Sequence, residues 1–121
     1  MPDIAVEVWL YGALAKHGGE HNQGSFARLD LVLREGSTMA DLLGLIGMPT
    51  AERGITFISG QLSAMPGLQP DLGHILQEGD RIGMFDPRSM WPMQYRHGAA
   101  ATSEMAEAMD RRGVHHSYHE E

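Results

Sequence analysis

Along the first 86 residues the apolar positions recur with two periods. Ile4, Val6, Val8 and Leu10 alternate with Ala5, Glu7, Trp9 and Tyr11, and a period of two predicts a strand with one clearly apolar face. Gly18-Gly19 and Gly24 then punctuate a polar loop. Ala27, Leu29, Leu31 and Leu33 alternate with Arg28, Asp30, Val32 and Arg34, which predicts a second strand of the same kind. The two are expected to pair antiparallel. Their linker is longer than a two-residue turn and is expected to lie on the surface. From Thr38 the period changes. Met39, Leu42, Leu43 and Ile46 follow the i, i+3, i+4, i+7 spacing of one helix stripe. Thr38 can accept from the backbone N–H of Asp41, and the Asp41 carboxylate sits at the favourable end of the helix dipole. Gly47 is placed to end the helix, and Pro49 blocks its continuation.

Ile55 to Ile58 read as a short buried strand, followed by a turn at Ser59-Gly60. Ser63 to Gly73 holds two prolines and two glycines and is expected to be mostly irregular. Glu78-Gly79-Asp80 is a tight turn before a last strand, Arg81 to Phe85. The predicted order is strand, strand, helix, strand, loop, strand, an α+β layout with one main helix on one face of a mixed sheet.

The pattern stops near Asp86-Pro87, which divides the chain into a body, residues 1–86, and a C-terminal extension, residues 87–121. A body of that size can fold alone with a small stability margin. Composition narrows the chemistry. The 121 residues carry 9 Lys+Arg against 16 Asp+Glu, a net charge of −7, so phosphate-backbone binding is not expected. Without cysteine the chain has no disulfide, thiolate metal site or cysteine nucleophile. No apolar run approaches the roughly 18 residues of a membrane span, and no basic start followed by an apolar stretch suggests a signal peptide. The expectation is a cytoplasmic protein that binds neither nucleic acid nor membrane.

Four stretches of the body resemble the MoaD/ThiS sulfur-carrier family. Val6-Glu7-Val8-Trp9-Leu10-Tyr11-Gly12-Ala13-Leu14-Ala15 is similar to the family's first strand and the short helical segment after it. Leu33-Arg34-Glu35-Gly36-Ser37-Thr38-Met39-Ala40-Asp41-Leu42-Leu43 is similar to its entry into the main helix. Ser59-Gly60 stands where the family usually has Asn-Gly, and Leu76-Gln77-Glu78-Gly79-Asp80-Arg81-Ile82 is similar to its turn before the last strand. The resemblance covers about residues 4–86 and implies the ubiquitin-like β-grasp fold. It also implies a terminal Gly-Gly whose carboxylate, adenylated by a partner enzyme, carries sulfur as a thiocarboxylate. Here Phe85-Asp86-Pro87-Arg88 is followed by no Gly-Gly. The nearest candidate for a processed end is His97-Gly98-Ala99, a poor match. The one Gly-Gly, Gly18-Gly19, lies in the first loop and reads as a turn.

Candidate chemistry lies in the extension, which holds four of the nine methionines and four of the seven histidines. Arg88, Met90, Trp91, Met93, Tyr95 and Arg96 are of the types enriched at interface centres. They are candidate contacts for a larger protein or a second copy. The competing reading has Trp91 and Tyr95 fold back on the exposed face of the sheet. Thr102 to Arg112 predicts a short helix with Ser103 as its N-cap and a narrow Met105/Met109 stripe. A stripe that narrow needs a surface to pack against, either its own body or a symmetry mate. His115, His116 and His119 are candidate ligands for Zn²⁺, Ni²⁺ or Cu²⁺, because on a helix His115 and His119 share a face, with Glu120 beside them. The competing reading is a solvated tail. His17 and His21 are expected to be solvated, and His74 has no assigned role.

No nucleophile elbow, His-Glu-x-x-His zinc motif or phosphate-cradling Gly-Lys-Ser/Thr loop occurs, and the carboxylates read as surface groups. The leading expectation is therefore a non-enzymatic accessory protein. It would bind a larger enzyme, metal- or molybdopterin-dependent as the resemblance implies, or self-associate through its extension. A carrier with an atypical or processed end and a metal-binding protein working through the His/Met tail are the alternatives. If Trp91 anchors an interface or strap, Trp91→Ala should weaken association or lower stability by about 3 kcal/mol in denaturant unfolding. No change in either would show a solvated segment.

Overall fold

A computed structural model describes residues 2–89 and 101–111. The architecture is α+β. Five strands form one mixed sheet: β1 (Asp3–Tyr11), β2 (Phe26–Arg34), β3 (Thr56–Ile58), β4 (Gln61–Ala64) and β5 (Arg81–Phe85). Their spatial order is β2-β1-β5-β3-β4. β1 pairs antiparallel with β2 as expected, with Val6 opposite Leu31 and Val8 opposite Leu29. β5 runs parallel to β1, so the first and last strands form the centre of the sheet. Among the described residues there are two α-helices, α1 (Met39–Ile46) and α2 (Ser103–Arg111), with short 3-10 segments between elements.

The core is aliphatic. Ile4, Val6, Val8 and Leu10 from β1 meet Leu29 and Leu33 from β2, Ile82 and Met84 from β5, and Met39, Leu42 and Leu43 from α1. The helix starts as its sequence predicts. Thr38 Oγ1 accepts from Asp41 N at 3.3 Å, Asp41 Oδ2 accepts from Thr38 N at 2.9 Å, and the two orphan N–H groups are satisfied reciprocally. Gly47 closes the helix in the left-handed region at φ 72°.

Three local expectations are corrected. The linker after β1 is not a plain polar loop: Gly12–His21 forms a 3-10 run, kinked at Gly19, that buries Leu14 and Ala15. Gly18 lets this run lie flat on β2, because a Cβ there would stand 2.4 Å from the Cβ of Ala27. The stretch after Ser59-Gly60 begins with a fifth strand, β4. Ser59 and Gly60 both have positive φ (49° and 85°), and Ile58 pairs with Gln61 across them. This is a two-residue turn whose twist matches the flanking strands. β4 was hidden because Gln61-Leu62-Ser63-Ala64 shows no apolar alternation, since Ser63 is held inside by hydrogen bonds to Asp71 and Thr56. Finally, α2 is capped by Thr102 rather than Ser103. The buried Thr102 hydroxyl accepts from Met105 N at 3.2 Å.

The carboxylates are not all at the surface either. Asp71 and Arg53 are both fully buried and form a two-pronged ion pair, Nη1–Oδ2 at 2.8 Å and Nη2–Oδ1 at 2.9 Å. Thr50 Oγ1 accepts from Arg53 Nη2 at 2.8 Å, and Ser63 Oγ donates to Asp71 Oδ2 at 2.8 Å. Among the described residues no buried side-chain polar atom lacks a partner. Removing one member of such a pair strands the other charge in the interior. Asp71→Ala is therefore expected to cost about 3–5 kcal/mol in denaturant unfolding. The paired change Arg53→Met/Asp71→Leu, which removes both charges, should cost much less than either single change. A single-change cost below about 1 kcal/mol would show that the pair is dispensable.

Candidate interaction face

Period two gives the sheet two faces. One faces α1 and is filled by aliphatic side chains. The other carries every aromatic residue among those described: Trp9 and Tyr11 on β1, Phe26 on β2, Phe57 on β3 and Phe85 on β5. Register puts them together, because Tyr11 is opposite both Phe26 and Phe85, and Phe57 is opposite Gly83. Four of the rings, those of Trp9, Tyr11, Phe26 and Phe85, form a continuous stack. Trp9 lies 5.7 Å from Phe26 and 6.2 Å from Tyr11, and Tyr11 lies 4.6 Å from Phe85, all with interplanar angles of 25° or less. All five aromatics are only half-buried.

Charged side chains frame the stack. Glu7 is half-buried and accepts from the indole N–H of Trp9. It faces Arg28 at 3.6 Å and Arg81 at 3.9 Å. Arg28 also covers the Trp9 ring, 5.7 Å from its centroid, a cation–π arrangement. Burial, with the Glu7 charge adding to it, pushes the Tyr11 phenol above its ordinary value. Between these groups runs an open groove of about 550 Å³, lined by Glu7, Trp9, Tyr11, Arg28, Phe57 and Arg81 among others. Gly83 supplies its floor, and the missing side chain there leaves room beside Tyr11.

The far end of the same face is covered. Leu62 is the register partner of Phe57 and packs with Ile55 and with Met105 of α2 in a small second apolar cluster, which Phe57 and Met109 join. Thr102 N donates to Leu62 O at 2.9 Å, extending the edge of β4. Met105 and Ala108 are buried, so the Met/Ala stripe of α2 packs on the body of its own chain. His74 takes part as well. Its Nδ1 lies 3.1 Å from Glu104 Oε1, which gives a role to a histidine that the sequence left without one. His17 is likewise not solvated: its Nε2 meets Glu52 Oε1 at 2.8 Å, with the side chain 14% exposed. Its ring is hidden because the 3-10 run turns it toward Glu52.

Of the residues singled out as partner contacts, Arg88 is described. It is exposed, and its backbone N–H donates to Asp86 Oδ1 at 2.7 Å. Met90, Trp91, Met93, Tyr95 and Arg96 lie outside the described residues, as do His115, His116 and His119. Among the described residues no group of three His, Asp or Glu side chains is placed to hold a metal ion, and no helix is long and apolar enough to cross a membrane. The aromatic face itself was missed by the sequence reading. Its signal lies in positions 7, 9 and 11, the less apolar side of the β1 alternation, which hold two of the five ring systems. No protein-family model matches the chain, and no curated protein matches it.

The His74–Glu104 contact makes the seating of α2 pH-dependent. Burial pushes the Glu104 carboxyl up. The hydrogen bond from His74, with backbone and Thr102 donors, outweighs it, and the net position is below the ordinary 4.5. A carboxyl lowered by folding stabilises above its unfolded value and loses that contribution as pH falls through its folded value. Amide exchange in 103–111 should therefore accelerate relative to the β1–β5 core as pH drops below 4.5, after correction for intrinsic rates. Glu104→Gln should remove that acid dependence. Persistence of the dependence in the variant would assign it to another group.

Proposed function

We propose that the protein is a non-enzymatic accessory protein of the ubiquitin-like β-grasp type that docks a larger protein through the aromatic face of its sheet. The fold reading is supported by the strand order β2-β1-β5-β3-β4, with the parallel β1/β5 pair central and α1 connecting β2 to β3. The resemblance to sulfur carriers of the MoaD/ThiS type supports it further and suggests a metal- or molybdopterin-dependent enzyme as the partner.

The observation that carries the functional reading is the aromatic stack. Five rings of the described residues are withheld from an aliphatic core and set half-exposed on one face, and three of them, Trp9, Tyr11 and Phe57, line one groove. Trp, Tyr and Arg dominate interface hot spots, because they bury large area with few rotatable bonds. The groove suits a protuberance with an apolar tip and polar flanks that can meet Glu7, Arg28 and Arg81. Arg88 and the contact residues of the extension, Met90, Trp91, Met93, Tyr95 and Arg96, are assigned to the same partner or to a second copy.

The local structure after β5 favours this reading over a sulfur carrier. A carrier needs a thin, free tail there. Asp86 is buried, accepts from Ala13 N with one carboxylate oxygen, and accepts from Arg88 N with the other, so the chain is fastened to the 3-10 run as it leaves the sheet.

The test is intact and native mass of the protein taken from its own cells, together with Trp9→Ala. The expected result is a full-length chain in a complex with a larger protein. Trp9→Ala should weaken that complex by more than about tenfold, in line with an interface hot spot. A full-length, metal-free monomer without a partner overturns the proposal. A chain shortened near Gly98, with sulfur in place of a terminal oxygen, also overturns it and identifies a carrier.

A further inference from the structure

The covered end of the second face is an intramolecular interface with the properties of an exchangeable one. Segment 101–111 meets the body over β4 and the 3-10 segment Pro70–Gly73 with His74 after it. Its contacts include the Leu62–Ala101 bridge with the Thr102 N–Leu62 O hydrogen bond, Met105 with Ala101 and Met109 in the small apolar cluster, and the His74–Glu104 pair. α2 has nine residues, too few to be stable in water alone, so its helix exists only while it is seated. The main core does not depend on it. None of the members of the principal cluster, from Ile4 to Met84, lies in 101–111. Segments of this kind open locally at lower free energy than the core around them.

When the segment leaves, the body is left with a surface that should not stay bare. Ile55 and Leu62, now 8% and 1% exposed, lose Met105 as their cover. Leu62 O loses its donor, and β4 becomes an open edge, the feature that invites another strand to add. Eleven residues, 90–100, separate the described body from Ala101. A stretch of that length reaches at most about 36–40 Å, enough to pass from one small body to a neighbour.

From these observations we infer that the site formed by Ile55, Leu62, Met65, Leu68 and His74 takes segment 101–111 from a second copy of this chain as well as from its own, so that two copies pair by exchanging their α2 helices. The occupant follows from identity of sequence. A second copy offers the same Thr102 N–H to Leu62, the same Met105 to the apolar cluster and the same Glu104 to His74, with no new contact required. The concentration dependence follows as well. Tethering gives the chain's own α2 a high effective concentration, so exchange is a high-concentration state and the monomer prevails on dilution. The inference does not depend on the aromatic groove having a partner.

The experiment is sedimentation of the full-length chain from micromolar to millimolar concentration, repeated with Met105→Asp and with Trp9→Ala. A dimer is expected to grow with concentration in the unaltered chain and in Trp9→Ala, and to be absent in Met105→Asp. Since Met105→Asp could unfold the protein, a second arm uses no substitution. Excess free peptide of residues 101–111 should compete for the site and lower the dimer fraction by about tenfold, by mass action. A chain that remains monomeric at millimolar concentration overturns the inference. So does a dimer that resists the peptide, or one that survives Met105→Asp but is lost in Trp9→Ala, which would show the copies meeting through the aromatic face.

Discussion

Everything on the β3–β4 side of the molecule hangs on the buried ion pair of Arg53 and Asp71. Two charges have been taken fully out of water there, at a desolvation cost that only good geometry can offset. The geometry is good: a two-pronged guanidinium–carboxylate contact whose remaining hydrogen-bonding capacity is met by Thr50, Thr56 and Ser63. The participants come from the turn before β3, from β3 and β4 themselves, and from the 3-10 segment Pro70–Gly73. Apart from β3, which the run Ile55 to Ile58 announces, none of these pieces has an apolar pattern strong enough to place itself. The pair fixes their mutual positions, and the consequences spread from Asp71. His74 follows directly after this segment and gives its carbonyl to Met39 N at the start of α1 and its ring to Glu104 at the start of α2. The segment that carries Asp71 is thus tied to the first turns of both helices, whose starts are fixed by their own Thr38 and Thr102 caps.

The other half of the molecule is built on the opposite logic. β1, β2 and β5 place Val, Leu, Ile and Met on one face and rings on the other, so among the described residues the core against α1 holds no aromatic. Aliphatic side chains with well-defined rotamers fill a small interior efficiently. A stack of rings on the outer face then serves no need of that core. Half-exposed aromatics in a contiguous row expose apolar surface that small monomers generally keep scattered. Arg28 over Trp9 and Glu7 on the indole N–H hold the row in one arrangement, and a preorganised surface loses less entropy when it binds.

How much of this was legible in the sequence follows the same division. Where structure rests on apolar period and capping chemistry, the residues announce it. β1, β2, α1 with its Thr38–Asp41 box and Gly47, and β5 after Glu78-Gly79-Asp80 are all found where the pattern places them. Where structure rests on buried polar pairing, the pattern is silent. β4 contains one strongly apolar residue, and Asp71 is indistinguishable in sequence from a surface carboxylate. His17 and His74 acquire partners 35 and 30 residues away, a separation that local spacing does not encode. The aromatic face failed to register for a different reason. A strand with two apolar faces, one aliphatic and one aromatic with a glutamate among its rings, reads as ordinary in/out alternation unless ring systems are counted apart from other polar-side residues.

The end of β5 is held by the body on both sides of Asp86. In a sheet whose last strand is central, the residue after it emerges at the middle of one end, beside the segment that follows β1. That position suits a projecting tail, and glycine would keep such a tail thin and free. Here the first residue past the strand is an aspartate whose two carboxylate oxygens take up Ala13 N and Arg88 N. The bond to Ala13 satisfies a backbone donor at the start of the 3-10 run, so it stabilises the segment that buries Leu14 and Ala15. Freeing the chain at this point would therefore withdraw support from the core beneath it. The exit of β5 is thus tied into the body, whereas the ring stack on β1, β2 and β5 stays half-exposed on the outer face of the sheet.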